Sequence, residues 1–143
     1  MSEINNFRGP YRWLSNFEYA PFIYQGIEWP TSEHAYQAMK SRDQSDWERV
    51  ARLPTPKDAK AAGYKLKIRH DWEQIKYQVM YHIVRAKFFQ NPNLAEKLLA
   101  TGFDKLVEGN TWGDTYWGVC NGRGENNLGK ILMKVREDLR WQE

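Results

Sequence analysis

The sequence predicts a small domain in which helices dominate and β structure is confined to a hairpin and one further short strand. Three observations lead there. Helix start and stop signals recur along most of the chain from Pro30 onward. A two-residue Gln25-Gly26 link separates two short apolar runs, the pattern of a tight hairpin. A length of 143 residues, with 41% hydrophobic and 27% charged side chains, suits one globular domain over 1–143 rather than a disordered chain.

Taken in order, residues 1–19 show no clear periodicity, but they hold a dense mix of Arg8, Gly9, Arg12, Asn16 and aromatics able to carry a site. Phe22-Ile23-Tyr24 and Ile27-Glu28-Trp29 are the arms of the expected hairpin. Pro30 holds Trp29 extended, and Thr31 or Ser32 supplies a side-chain oxygen to cap a helix starting near Ser32 and running toward Lys40. Ser45 with Glu48 reads as a capping box for a helix from Asp46 to about Leu53, stopped by Pro54. Thr55-Pro56 with Asp58 opens another short helix, and Gly63 is placed to end it in the left-handed conformation.

Asp71 with Gln74 opens the longest helix, with Ile75, Val79, Ile83 and Ala86 as its core stripe, ending before Asn91-Pro92. Pro92 and Gly102 bracket the next helix, and Lys105–Glu108 reads as a strand. The stretch from Gly109 to Gly124 is rich in glycine and aromatics, and a loop of that length is usually functional. Asn126 or Asn127 caps the last helix, whose Leu128, Ile131, Leu132, Val135 and Leu139 keep helical spacing.

Composition narrows the function. A lone cysteine, Cys120, excludes an internal disulfide framework and fits a reducing, cytoplasmic setting. No stretch approaches the ~18 apolar residues of a membrane span, so no membrane partner is expected. A net charge of +3 is modest for a nucleic-acid binder but compatible with a phosphate-bearing ligand. Five basic residues between Lys57 and Arg69 read mainly as a solvated surface. The histidines stand at no metal-binding spacing, no close cysteine pair exists, and neither metal nor cofactor is expected. His34 reads as a core or supporting residue, and His82 as a hydrogen-bonded structural one.

At 100° per residue, Glu33, Gln37 and Lys40 share one helical face with Tyr36 on its flank. From spacing alone that face reads as an ordinary solvent-exposed one. Its chemistry is that of a carboxylate and a lysine, with Asp114 a further acid in aromatic surroundings. A carboxyl group protonates the leaving group or activates water in glycosidic cleavage. A neutral lysine can instead exchange into the imine formed when an N-glycoside opens. That route needs Lys40 below its usual pKa, and an ionised Glu33 nearby pushes the other way.

The order of blocks resembles the YbiA-like family, also called the NADAR (NAD and ADP-ribose) superfamily. The resemblance rests on Leu14-Ser15-Asn16-Phe17, then Trp29 through Lys40, then Asp71-Trp72 with Lys76, Val79-Met80 and Lys87-Phe88. It continues through Leu106-Val107-Glu108, Asp114 to Gly118 and Gly122 to Arg136. Lys40 is followed by Ser41, where many relatives carry an aromatic. The resemblance implies a small, mostly helical α+β fold and an N-glycosidase acting on phosphoribosylamino-pyrimidine intermediates of riboflavin biosynthesis. It also implies, as a second substrate class, ADP-ribosyl groups on guanine in nucleic acid, and a non-catalytic NAD or ADP-ribose binding module is a third reading. Under it Glu33, Lys40 and Asp114 are the expected catalytic residues. Arg8, Gly9, Asn16, Trp29, Arg69, Trp72, Trp117 and Gly118 are the expected substrate contacts.

Overall fold

The computed structural model describes residues 2–142 and belongs to the α+β class. The chain forms two compact units, residues 16–91 and residues 1–15 with 92–143.

The unit of residues 16–91 is built around a short buried helix. Strands β2 (Phe22–Tyr24) and β3 (Ile27–Trp29) pair antiparallel, Phe22 opposite Trp29. Gln25 and Gly26 both take positive φ, as a two-residue turn between right-twisted strands demands. The outward N–H and C=O of Ile23 bond to the Gln90 side chain at 2.7 and 2.8 Å. Helix α1 (Ser32–Ala38) follows, its Thr31 cap accepting from the His34 N–H, and all seven of its residues are buried.

Helix α2 (Gln44–Ala51) starts earlier than the Ser45 and Glu48 signal indicates, because Asp43 takes the cap and accepts from the Ser45 N–H. Ser41, lacking an aromatic's bulk, turns inward: its hydroxyl donates to Asp46 at 2.7 Å and accepts the Asp43 N–H. Helix α3 (Pro56–Gly63) has the expected Thr55 cap with proline in its first turn. Gly63, expected to be left-handed, is not among the positive-φ glycines. It is glycine for another reason: a Cβ there would overlap the Gln37 side chain.

Helix α4 (Trp72–Gln90) begins where expected, although the Asp71 side chain does not cap it. Arg69 and Arg42 occupy that carboxylate instead. Its core face is Trp72, Met80, Ile83, Val84, Lys87 and Phe88, so the expected stripe is rotated and only Ile83 of it is fully buried. His82, read as structural, is exposed beside the Tyr81 ring.

In the second unit, β1 (Glu3–Ile4) pairs parallel with β4 (Lys105–Leu106). A 3-10 helix covers Gly9–Leu14, and α5 (Pro92–Ala100) is followed by left-handed Gly102, as expected. The glycine-rich stretch is not structureless, since β5 (Gly109–Asn110) and β6 (Val119–Cys120) pair parallel within it. Helix α6 (Asn127–Arg140) buries Leu128, Ile131, Leu132, Val135 and Leu139. Asn126 does not cap it; its side chain accepts from the Glu108 N–H and donates to the Leu106 carbonyl. Among the described residues no helix is long and apolar enough to cross a membrane.

Lys87 is 1% exposed, and burial pushes its ammonium down to about 7, with Glu18 opposing. An unfolded lysine stays protonated up to ~10.4, so between those values the unfolded chain holds one more proton and stability rises with pH. Denaturant unfolding at pH 7 and pH 9.5 is expected to show the wild type gaining on the order of 3 kcal/mol from this group. Lys87→Met should flatten most of that rise, leaving the smaller contribution of Lys40.

Candidate active site

The polar groups of α1 define the candidate site, and each is placed by a different neighbour. Asn16 braces the start of the helix: its Oδ1 accepts from the Ser32 hydroxyl at 2.8 Å and its carbonyl accepts the Glu33 N–H at 3.1 Å. His34 is fully buried and turned away from the Glu33 face. Its Nε2 bonds the Leu53 carbonyl at 3.0 Å, so that nitrogen carries the proton, and Nδ1 takes the Thr31 hydroxyl at 2.7 Å. Burial lowers its pKa, which keeps the ring neutral. It is a structural histidine, in line with the sequence reading.

Glu33 is 7% exposed and Gln37 5%, so the face expected to be solvated is desolvated. Gln37 Nε2 donates to Glu33 Oε2 at 2.7 Å, while Gln37 Oε1 is buried without a hydrogen-bond partner. The helix ends at Ala38, so Lys40 lies in the turn beyond it, with its N–H on the Gln37 carbonyl. Its carbonyl accepts the Arg69 N–H at 2.7 Å. That turn sets the Lys40 ammonium 5.8 Å from the Tyr36 ring centroid and 5.9 Å from that of Tyr64. Tyr36 in turn packs against Trp72, ring centroids 5.2 Å apart.

The electrostatics resolve the conflict posed by the sequence. Burial lowers the Lys40 pKa and is the largest influence; Glu33 raises it, Lys76 and Lys60 lower it, and Glu73 raises it. The net result is a lysine more readily neutral than an ordinary one, despite the carboxylate. No arginine takes part; two neighbouring lysines assist the burial instead.

Among the other expected contacts in this unit, two have physical reasons against them. Trp29 is 0% exposed and its indole N–H donates to the Tyr24 carbonyl, so it offers no face to a ligand and belongs to the core. Arg69 is committed to Asp71 through two bonds of 2.6 and 3.0 Å, which hold the Asp71 carboxyl down to about 2. A fork already filled by a carboxylate is not open to a phosphate. Trp72 is nearly buried behind Tyr36.

Arg8, Gly9, Asp114, Trp117 and Gly118 lie in the second unit. Arg8 is exposed at the start of the 3-10 helix, and Gly9 there takes a φ of +55°. Asp114 Oδ1 accepts the N–H groups of Tyr116 and Trp117 at 3.2 and 2.9 Å, so one of its oxygens shapes the loop. Half-buried Trp117 meets Tyr116 edge to face. Gly118 is packed so closely that a Cβ would overlap Glu108 and Asn110.

The sequence places Gln37 on the right face but gives it no role; Lys60 reads there as part of a basic surface and Lys76 as part of a family block, neither tied to Lys40, and Tyr64 carries no signal. The four-residue step from Glu33 to Gln37 was a usable signal. Tyr64 and the lysines come from α3 and α4, which no local pattern connects to Lys40.

Among the described residues no three histidine, cysteine or acidic side chains gather where they could hold a metal ion. The NADAR domain profile matches residues 5–140. The N-glycosidase YbiA of Shigella flexneri serotype 5b is 44% identical over 129 residues, covering 88% of this chain and 80% of the relative. A riboflavin biosynthesis protein of Vibrio vulnificus is also 44% identical over 129 residues, 88% of this chain but 35% of that longer protein. The solution structure of Escherichia coli YbiA superposes with a TM-score of 0.87 at 40% identity, covering 97% of this chain and 85% of that one. On a match that runs through both units and a shared fold at this identity, the chain belongs to the NADAR domain family.

Proposed function

We propose that the protein is a metal-independent N-glycosidase that hydrolyses the C1–N bond of phosphoribosylamino-pyrimidine intermediates of riboflavin biosynthesis, releasing ribose 5-phosphate and the free base. The observation that carries this reading is the desolvated pair at α1: a buried carboxylate, Glu33, beside a lysine whose amine burial drives toward neutrality. The relatives named as an N-glycosidase and a riboflavin biosynthesis protein support the reaction and the substrate class, and favour catalysis over binding alone. No observation favours ADP-ribosylated nucleic acid as the substrate. A cytoplasmic setting, with Cys120 as a free thiol, is part of the same proposal.

In this reading Glu33 delivers a proton to the departing amino nitrogen or takes one from the attacking water. Lys40 has two routes. As a charged group it steadies the phosphoribosyl moiety. As a neutral amine it adds to C1 of the ring-opened imine, and the aminopyrimidine leaves with the proton that the carboxyl group supplies. Water then hydrolyses the new imine, returning the lysine and releasing the sugar as its aldehyde. Burial that lowers the Lys40 pKa favours the second route. Asn16 contributes by fixing the helix start that carries Glu33, and Tyr36 and Trp72 wall the lysine.

Two outcomes test this. Glu33→Gln keeps an acceptor for the Gln37 donor, so it should melt within a few degrees of wild type yet lose about 10²–10⁴-fold in base release; unchanged turnover would remove Glu33 from the mechanism. Borohydride added during turnover should leave a reduced phosphosugar mass on the peptide containing Lys40, and Lys40→Arg should abolish both adduct and turnover. An inactive Lys40→Arg with no adduct on the wild type would assign the lysine an electrostatic role.

A further inference from the structure

We propose that Gln37 is a positioning residue for the Glu33 carboxyl group, packed against Gly63 in the orientation that donates to Oε2 and favours the ionised carboxylate. The inference rests on Glu33 being the catalytic carboxylate.

Three observations combine. Gln37 Nε2 donates to Glu33 Oε2 at 2.7 Å, one helical turn away and out of solvent. The same amide leaves its own oxygen buried without a partner. That oxygen lies against Gly63 at the end of α3, at the place where any other residue would put its Cβ.

An amide that tolerates an unsatisfied oxygen has worse alternatives. Rotated by half a turn, it would aim its oxygen at a carboxylate. One missing bond to the amide oxygen would be exchanged for electrostatic repulsion and the loss of the donor to Oε2. While Glu33 is ionised, the donating orientation is therefore the stable one. The bond that Oε2 receives stabilises the ionised carboxylate over its protonated form. Gly63 leaves room for this from 26 positions along the chain: a Cβ there would overlap the Gln37 amide oxygen and force that amide to shift.

Lys60 of α3 and Lys76 and Glu73 of α4 act on Lys40, as does Glu33. A change made at Gln37 leaves each of them in place. Its effect on Glu33 can thus be separated from theirs.

The test reads the carboxyl directly in the full chain. In wild-type protein, the side-chain NH2 resonances of Gln37 should move with the same midpoint as the Glu33 side-chain carboxyl carbon in a pH titration. In Gln37→Met, which keeps length and removes the donor, that midpoint should rise by about one to two pH units. The limb of the kcat/KM profile assigned to Glu33 should follow it, with kcat falling more than KM changes. Gly63→Ala should shift the midpoint in the same direction with Gln37 intact. Gln37 signals indifferent to the Glu33 titration in wild type would overturn the inference without any variant needing to fold. An unmoved midpoint in Gln37→Met would overturn it as well. An active Glu33→Gln would instead refute the catalytic reading while leaving the coupling measurable.

Discussion

A helix of seven residues that carries serine, glutamate, histidine and glutamine into the interior sets the terms for the surrounding unit. Each buried polar group must find a partner or lose the hydrogen bond it had with water. The structure meets this demand from four directions: Asn16 from the preceding loop, Thr31 from the cap, the Leu53 carbonyl from the end of α2, and Gly63 of α3 by yielding space. Helices α2 and α3 are thus not interchangeable walls: the Leu53 carbonyl that follows α2 takes the His34 ring N–H, and Gly63 of α3 leaves room for the Gln37 amide.

That accounting also explains how the Lys40 pKa can be lowered although Glu33 acts on it in the opposite direction. Exposed, the two would settle as opposite charges and the lysine would be held more firmly protonated. Burial changes the balance, because an ammonium loses hydration that the carboxylates acting on it, Glu33 and Glu73, do not restore. Lys60 and Lys76 press in the same direction. The reactive character of the amine therefore belongs to the packing of three helices and not to Lys40 alone.

What could be read from the chain followed the range of the interaction responsible. The Gln25-Gly26 turn, the Thr31 and Thr55 caps and the Pro92 to Gly102 bracket are settled within a few residues, and all appear as anticipated. Gly63 was misjudged because the reason for it, Gln37, is remote in sequence. The solvent-exposed reading of α1 failed similarly: helical spacing tells which residues share a face but not whether another element covers it. Strands β1, β5 and β6 are two residues long, too short to establish an alternation, and exist through pairing with distant segments. Arg69 could from sequence serve a phosphate or a surface carboxylate, and the carboxylate proves to be Asp71, two residues on, which the sequence reads as a helix cap.

The Gln90 side chain that holds both outward groups of Ile23 has a consequence for how the molecule meets its own kind. A two-stranded ribbon offers its unpaired backbone as a template on which another chain can add a strand. Here the last residue of α4 occupies that template with an amide, which presents a donor and an acceptor much as a neighbouring peptide unit would. The hairpin that leads into α1 is finished by a side chain rather than by a third strand. The β2 edge of the ribbon that feeds the helix start is in this way closed at Ile23 to an added strand.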